Sequence, residues 1–482
     1  MGLSKTTLVV LVTLQCLFSC AYLVAAQGSW ALLNNNAGIS SMHTAVTHMN
    51  TVIMLDRTNT GPSAIKLPNG RCRNQPVERI SKVDCYVHSV MFNPGNNQVR
   101  PLYVYTDTWC SSGQFFDNGR MVQTRGDFEG NRKIRTLQPC GVGDNCDWIE
   151  LGENLATGRW YSSNQLLPSD NNLYPFVYLL PNGDLFVFTN RNFVQLNWNS
   201  SKVVRGYPQI LENPRNYPSA GSAVMLPLTW QTGFGFAQIM VCGGAAAGAS
   251  NARNANAPAS FSCGTIVASS GNPVWAMQNM PIRRVMGDMI NLPTGDILII
   301  NGAQNGYQGW GKANNPALNP VNYNPVTKQF QIYAKTNIPR MYHSTANLLS
   351  DGRVLLAESN THQFYTYNGQ YPTDLRVEAF SPPYLGAGFN GVRPAIQGYP
   401  NRIKYKQVFV VNFAVGQRVG AVEVNMNSAP YLKTMLPTKA GNGWSVQVTA
   451  VPENTIAPPT YYLLFVVQNG IPSKGVWIKQ NN

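Results

Sequence analysis

Four times along the chain an apolar pair runs into a polar turn ending in glycine, and an alternating apolar stretch answers it. The copies are Phe115-Phe116-Asp117-Asn118-Gly119-Arg120-Met121-Val122, Leu179-Leu180-Pro181-Asn182-Gly183-Asp184-Leu185-Phe186, Leu292-Pro293-Thr294-Gly295-Asp296-Ile297-Leu298-Ile299 and Leu348-Leu349-Ser350-Asp351-Gly352-Arg353-Val354-Leu355. Period-two alternation puts successive side chains on opposite faces of a strand. Xaa-Gly between two such runs predicts a two-residue hairpin, because glycine takes positive φ at low cost. The turn glycines are separated by 64 (183 − 119), 112 (295 − 183) and 57 (352 − 295) residues, the middle interval being about two periods. A hairpin recurring at roughly 50 residues is the signature of a kelch-type β-propeller, and about 350 residues at that period make about seven blades.

The rhythm breaks once. Gln165-Leu166-Leu167-Pro168 leads into Ser169-Asp170-Asn171-Asn172 with no turn glycine, and the next copy begins 13 residues (179 − 166) after Leu166. That is too short for a blade, so either one blade is degenerate or a segment has been lost, truncating it. The repeat stops at Glu378-Ala379-Phe380-Ser381-Pro382-Pro383-Tyr384-Leu385, and a Pro/Gly-rich linker runs to about Pro400. Apolar runs at 407–413, 421–426, 444–451 and 461–467 then predict a small β-sandwich. The expected organisation is all-β: a leader at 1–26, the propeller at 27–377 and the sandwich at 378–482.

Composition agrees with a turn-rich chain: Gly 42, Pro 32 and 12% charged residues. Lys5, the apolar run 8–24 and the small residues Val24-Ala25-Ala26 form a secretory signal, with cleavage expected after Ala26. The run is short for a membrane span, and no stop-transfer charges follow. The reading is a secreted, extracellular protein with no membrane anchor. A formal net charge of +14 predicts attraction to acidic polysaccharide, most of the excess lying on a solvated face. No Lys/Arg run interleaved with aromatics points to nucleic acid. Asn199-Ser200-Ser201 is a glycosylation sequon, in keeping with secretion.

Nine cysteines become seven once the leader carries off Cys16 and Cys20. The economical pairing is local, Cys72 with Cys85, Cys140 with Cys146 and Cys242 with Cys263, among the fifteen that six cysteines allow. Cys110 is then the odd thiol, in Thr108-Trp109-Cys110-Ser111-Ser112-Gly113. By itself it reads equally as a buried, inert cysteine. Ile338-Pro339-Arg340-Met341-Tyr342-His343-Ser344 sets a phenol beside an imidazole at the start of a hairpin, and only His362 follows among the histidines. Taken alone, Tyr161 reads as a packed strand aromatic and His343 as a satisfied core histidine.

Together these segments resemble the secreted glyoxal oxidase and galactose oxidase-like copper-radical oxidases, above all their plant aldehyde oxidase-like branch. The resemblance covers nearly all of the chain after the leader. It rests on Ser41-Met42-His43-Thr44-Ala45-Val46, Asp107 to Gly113, Arg159-Trp160-Tyr161, Asn216-Tyr217-Pro218-Ser219, Arg340-Met341-Tyr342-His343-Ser344 and the 378–385 segment. It implies a C-terminal immunoglobulin-like early-set sandwich and a thioether joining Cys110 to Tyr161, which would hold a radical. It implies one copper ion, bound by Tyr161, Tyr342 and His343, with Tyr342 as general base. The implied chemistry is oxidation of a small aldehyde, of the glyoxal or methylglyoxal type, to a carboxylic acid with O2 reduced to H2O2, by a monomer of the apoplast or cell wall. His43, His48, His88 and His362 match no ligand motif and are read as structural. In one respect the chain departs from the pattern. The family's second ligand histidine follows a Ser/Ala-Pro-aromatic segment, and in Ser428-Ala429-Pro430-Tyr431-Leu432-Lys433-Thr434 either Thr434 stands in its place or a few residues around it are deleted. The departure leaves an alternative, a catalytically impaired propeller that binds extracellular matrix or carbohydrate.

Overall fold

The computed structural model describes residues 27–141, 143–158, 175–416, 420–427 and 430–482. Among these residues, six four-stranded antiparallel sheets form the blades of a propeller. From the innermost strand outward, the first blade is His43–Val46, Val52–Leu55, Ser89–Asn93 and Gln98–Leu102, and the second is Ser112–Phe115, Met121–Thr124, Lys133–Leu137 and Ile149–Asn154. The third is Phe176–Leu179, Leu185–Thr189, Asn192–Asn197 and Lys202–Tyr207, and the fourth Ser222–Met225, Gln238–Cys242, Ser262–Val267 and Trp275–Asn279. The fifth is Asp288–Asn291, Ile297–Ile300, Val321–Asn324 and Gln329–Ile332, and the sixth Thr345–Leu348, Val354–Ser359, Asp374–Ser381 and, from the start of the chain, Ser29–Asn34. That last strand pairs antiparallel with Asp374–Ser381, Trp30 opposite Phe380, and ties the ring shut.

The fold class is as the repeat predicted, but the described residues form six blades against the about seven expected. The hairpins recur at 56 to 64 residues instead of roughly 50, and the same length holds fewer units. The unmatched stretch around Pro168 lies outside the described residues. The expected boundary at 377/378 falls within the strand Asp374–Ser381, so the propeller continues to Ser381. The four turns are also one residue longer than expected. Leu180 N donates to Asp184 O at 2.8 Å and Gly183 N to Leu180 O at 2.8 Å, leaving a three-residue loop with the glycine third. The turns at Gly119, Gly295 and Gly352 repeat both bonds. All four glycines have φ between +80° and +89°, the left-handed region that a three-residue hairpin loop requires.

Second strands such as Val52–Leu55 and Ile297–Ile300 are buried throughout, because blades pack on both their faces. The cluster Val52, Met54, Val90, Leu355 and Val377 fills the seam where the first and sixth blades meet. Five arginines, Arg57, Arg73, Arg135, Arg215 and Arg284, are also fully buried. Arg135 Nη2 donates to Asp107 O at 2.7 Å and Arg284 Nη2 to Asn319 O at 2.7 Å, so they serve as hydrogen-bond pegs to loop carbonyls. Part of the positive charge is thus structural rather than solvated. The three local disulfides form as paired in the sequence, Cys72–Cys85, Cys140–Cys146 and Cys242–Cys263.

The C-terminal part is one curled sheet of ten strands. Its core, including Val411, Phe413, Val446 and Val466, is continuous with Phe188 and Ile239 of the third and fourth blades. It sits against the turn end of the propeller. His48 stacks on Tyr461 with ring centroids 4.2 Å apart, and a Cβ at Gly119 would lie 2.5 Å from His48 Cε1. All six inner strands line an axial channel of about 580 Å³, which Asn427, Tyr461 and Trp477 border on the C-terminal side. The opposite end, where the inner strands begin, is left for chemistry.

Candidate active site

Tyr342 and His343 stand immediately before the inner strand Thr345–Leu348 of the sixth blade. A tight turn presents them. Ser344 Oγ donates to Met341 O at 2.7 Å, Met341 N donates to Ser359 Oγ at 3.0 Å, and Asn360 N donates to Tyr342 O at 3.0 Å. His343 takes φ +63°, which turns its ring onto that of Tyr342. The two rings stack with centroids 3.9 Å apart and planes 29° from parallel. Tyr342 is buried. The turn is anchored from behind by Arg340, whose Nε donates to Glu378 Oε2 at 3.0 Å and whose Nη1 donates to Arg376 O at 2.8 Å.

A cavity of about 230 Å³ opens beside the pair, lined by Met42, His43, Met286, Asp288, Tyr342 and His343, among others. His43 begins the inner strand of the first blade. Ring closure makes the first and sixth blades neighbours, and Thr44 Oγ1 donates to Thr345 Oγ1 at 3.0 Å across the seam. His43 and His343 therefore share one cavity. Both ring nitrogens of His343, and Nε2 of His43, are buried without a hydrogen-bond partner. An unsatisfied buried polar atom costs about 1–3 kcal/mol. Burial holds the His343 imidazole well below its usual pKa, with the Arg57 charge and then His43 adding to the effect. Burial lowers His43 to about 4. Both rings are thus neutral near pH 7, with lone pairs available. Burial raises Asp288, on the same wall, to about 7 against the opposing hydrogen bond from Asn301 and the charge of Arg284.

The remaining histidines are engaged elsewhere, as the sequence reading held. His88 Nε2 lies 2.8 Å from Asp84 Oδ2, His48 stacks on Tyr461, and His362 Nε2 lies 3.2 Å from Tyr371 O. His43 is the exception, and its placement was not foreseen. The signal lay in the repeat: residue 43 opens the first inner strand and residue 343 precedes the last, and a closed ring makes those two places adjacent.

Cys110 is buried, lies in none of the three disulfides and has φ +56°. It packs with Met42, Trp109 and Tyr217, directly beside the histidine-bearing strand. The Asp107 carboxylate holds this loop, accepting from Trp109 N at 2.7 Å and from Thr58 N at 3.0 Å. Trp109 stacks on Trp310 at 5.2 Å, and the buried Arg57 guanidinium lies 4.9 Å and 5.0 Å from those two ring centroids. Tyr161 lies outside the described residues, so its distance from Cys110 is not part of this geometry. Thr434, in the place of the tail histidine, belongs to the C-terminal sheet. It pairs with Val448 and donates from Oγ1 to Val422 O at 3.1 Å. Among the described residues no group of three or more His, Cys, Asp or Glu is arranged to hold a metal ion. A metal here would have to combine imidazole with phenol oxygen.

Propeller, curled C-terminal sheet and stacked Tyr-His pair together define a class of protein, and the family comparison specifies it. Residues 42–171 and 168–384 match the family described as Glyoxal oxidase N-terminus, and residues 393–480 match the Galactose oxidase-like, Early set domain. The chain belongs to the glyoxal oxidase family. The first match restarts at residue 168, where the hairpin rhythm breaks. Aldehyde oxidase GLOX of Vitis pseudoreticulata is 45% identical over 508 residues, which cover 94% of this chain and 97% of that protein. An aldehyde oxidase of Arabidopsis thaliana is 36% identical, covering 94% of this chain and 84% of its own length. An alignment of 508 positions against 482 residues means that the Vitis protein carries segments this chain lacks. A fungal alcohol oxidase solved in complex with copper shares the fold, with a TM-score of 0.63 over 95% of this chain and all of that one, at 16% identity.

Proposed function

We propose that the protein is a secreted copper-radical oxidase that converts small aldehydes of the glyoxal and methylglyoxal type to carboxylic acids while O2 becomes H2O2. The observation that carries this reading is the stacked Tyr342–His343 pair, whose imidazole offers two buried nitrogens with no hydrogen-bond partner. Neutral imidazole and phenol oxygen are donors that suit copper, so the residues fit one copper ion, with His343 and Tyr342 holding it and Tyr161 the third proposed ligand. Cys110 is proposed to carry the thioether to Tyr161. When bound, copper with a thioether-linked tyrosyl radical supplies two one-electron oxidising equivalents, so a hydrated aldehyde loses two electrons and two protons and O2 takes them up as H2O2.

The chain's own groups do the rest. The Tyr342 phenol oxygen is proposed to take the substrate proton as general base. Met42, Met286 and Met341 give the cavity apolar walls, and at about 230 Å³ it is smaller than the 300–1,000 Å³ typical of drug-sized ligands, in keeping with a substrate of a few heavy atoms. Two relatives carry the name aldehyde oxidase. Secretion is proposed from the leader at 1–26, and no helix among the described residues is long and apolar enough to cross a membrane. We take the working form to be a monomer, with acidic wall polysaccharide as the surface that retains it.

Two measurements on the secreted, copper-loaded protein test the proposal. Methylglyoxal should drive O2 uptake and peroxide release in equal amounts, and a tryptic digest should contain a Cys110–Tyr161 linked peptide lighter by two hydrogens than its parts. Separate Cys110 and Tyr161 peptides together with no peroxide overturn it. A second reading, a matrix- or carbohydrate-binding propeller without turnover, draws on the engagement of Thr434 in the C-terminal sheet. Stoichiometric copper with peroxide release excludes it.

A further inference from the structure

We infer that His43 is a copper ligand of this protein, supplying through Nε2 the second imidazole that the C-terminal part does not provide. The inference rests on the copper reading above and on four observations independent of it. His43 and His343 line one cavity of about 230 Å³. Their strands meet across the seam between the first and sixth blades, where Thr44 bonds to Thr345. His43 Nε2 is buried with no hydrogen-bond partner, as are both nitrogens of His343. The other three histidines of the chain are held by Asp84, Tyr461 and Tyr371.

Two neutral imidazoles facing one cavity without hydrogen-bond partners lack the donors and acceptors that buried polar atoms ordinarily find. A shared hydrogen bond would satisfy one nitrogen on each ring, and none is formed. One metal ion bound by both rings satisfies His43 Nε2 and one of the two His343 nitrogens. The strand setting is also rigid. His43 is fixed by ladder pairing to Leu55, and His343 by the turn that Ser344, Ser359 and Asn360 hold. Ligands on such elements keep their geometry when the metal leaves. Thr434, at the position of the tail ligand in the family pattern, is committed to the C-terminal sheet and bonded to Val422. A second imidazole must then come from the propeller, and His43 is the one placed to give it.

The test is a count of coordinated nitrogens. Purified full-length protein is titrated with Cu(II) chloride and examined by pulsed electron paramagnetic resonance, which resolves each imidazole nitrogen coupled to the metal. The wild type should show two imidazoles and His43→Ala one, with Cu(II) binding weakened more than about 100-fold. Loss of an outer-sphere partner costs only about 10–100-fold, so the size of the effect separates a ligand from a positioning residue. Added imidazole should restore the second nitrogen in His43→Gly. One imidazole in a wild type whose Cys110–Tyr161 link has formed overturns this inference and leaves the oxidase reading standing. No stoichiometric copper in the wild type overturns both. Should the His43 variants fail to fold, the wild-type count alone decides, because His343 and His43 are the two rings able to give a count of two.

Discussion

Arg340 and Glu378 join two of the segments that carry the family resemblance, 340–344 and 378–385, through a buried ion pair with Arg340 Nη2 2.9 Å from Glu378 Oε2. Their side chains are 1% and 5% exposed. The pair holds the turn that presents Tyr342, two residues on, against the strand Asp374–Ser381, on which Ser29–Asn34 closes the ring. Removing Glu378 leaves the buried Arg340 with Asp374, Nη1 to Oδ1 at 3.7 Å, as its remaining carboxylate, at a cost of up to about 3–5 kcal/mol, whereas replacing both Arg340 and Glu378 with apolar residues is often near neutral. Glu378→Met should lower the unfolding free energy by that amount in urea, and Arg340→Met with Glu378→Met should recover most of it. A double variant no more stable than the single would show that the pair is not what holds the turn.

Tyr342 is proposed to transfer the substrate proton rather than only to support the fold. Tyr342→Phe keeps the ring that stacks on His343 at 3.9 Å and removes only the oxygen. General-base catalysis is worth about 10²–10⁴-fold, and the same oxygen is a proposed copper ligand, so kcat for methylglyoxal should fall by at least about that factor with the thermal midpoint of the metal-free protein nearly unchanged. A comparable loss of stability with kcat intact would reverse the assignment.

Cys110 tests the radical cofactor. Cys110→Ser retains volume and polarity in the pocket formed by Met42, Trp109 and Tyr217 but cannot form a thioether. On exposure to copper and O2 the wild type should lose two mass units and change its electrophoretic mobility, and the variant should do neither. Peroxide output from the variant should be lost. Wild-type turnover without any linked peptide would remove Cys110 from the mechanism.

Much of this was legible in the chain because it was local. The turn glycines 119, 183, 295 and 352 fixed strand direction and repeat, since each acts through hydrogen bonds within five residues. The disulfides followed from short loops. Tyr342-His343 was visible as a pair because its residues are adjacent. Properties of the closed ring were not legible. His43 stands 300 positions from His343 (343 − 43) and becomes its neighbour only when Ser29–Asn34 completes the sixth blade. Buried arginines such as Arg215 and Arg284 look in sequence like any surface cation, because their partners are backbone carbonyls and, for Arg215, serine hydroxyls, none with a sequence signature.

Asp288 gives the site a pH signature whose sign can be derived. Burial raises its carboxyl from 3.8 to about 7, the largest influence on it, while the bond from Asn301 and the Arg284 charge act in the other direction. Between those two values the folded protein holds a proton that the unfolded chain has lost. The contribution to stability is full below about pH 4 and disappears as pH rises through 7. Asp288→Asn keeps an oxygen for Asn301 and cannot ionise. Burial lowers His43 and His343, so their contribution has the opposite sign and is lost as pH falls, but it is common to both proteins and cancels in the difference. Wild-type stability minus that of Asp288→Asn should therefore fall by up to roughly 4 kcal/mol between pH 4 and 8. Chemical denaturation of the metal-free proteins across that range measures it. Parallel curves would mean that Asp288 ionises inside the fold at its ordinary pKa and that water reaches the cavity wall.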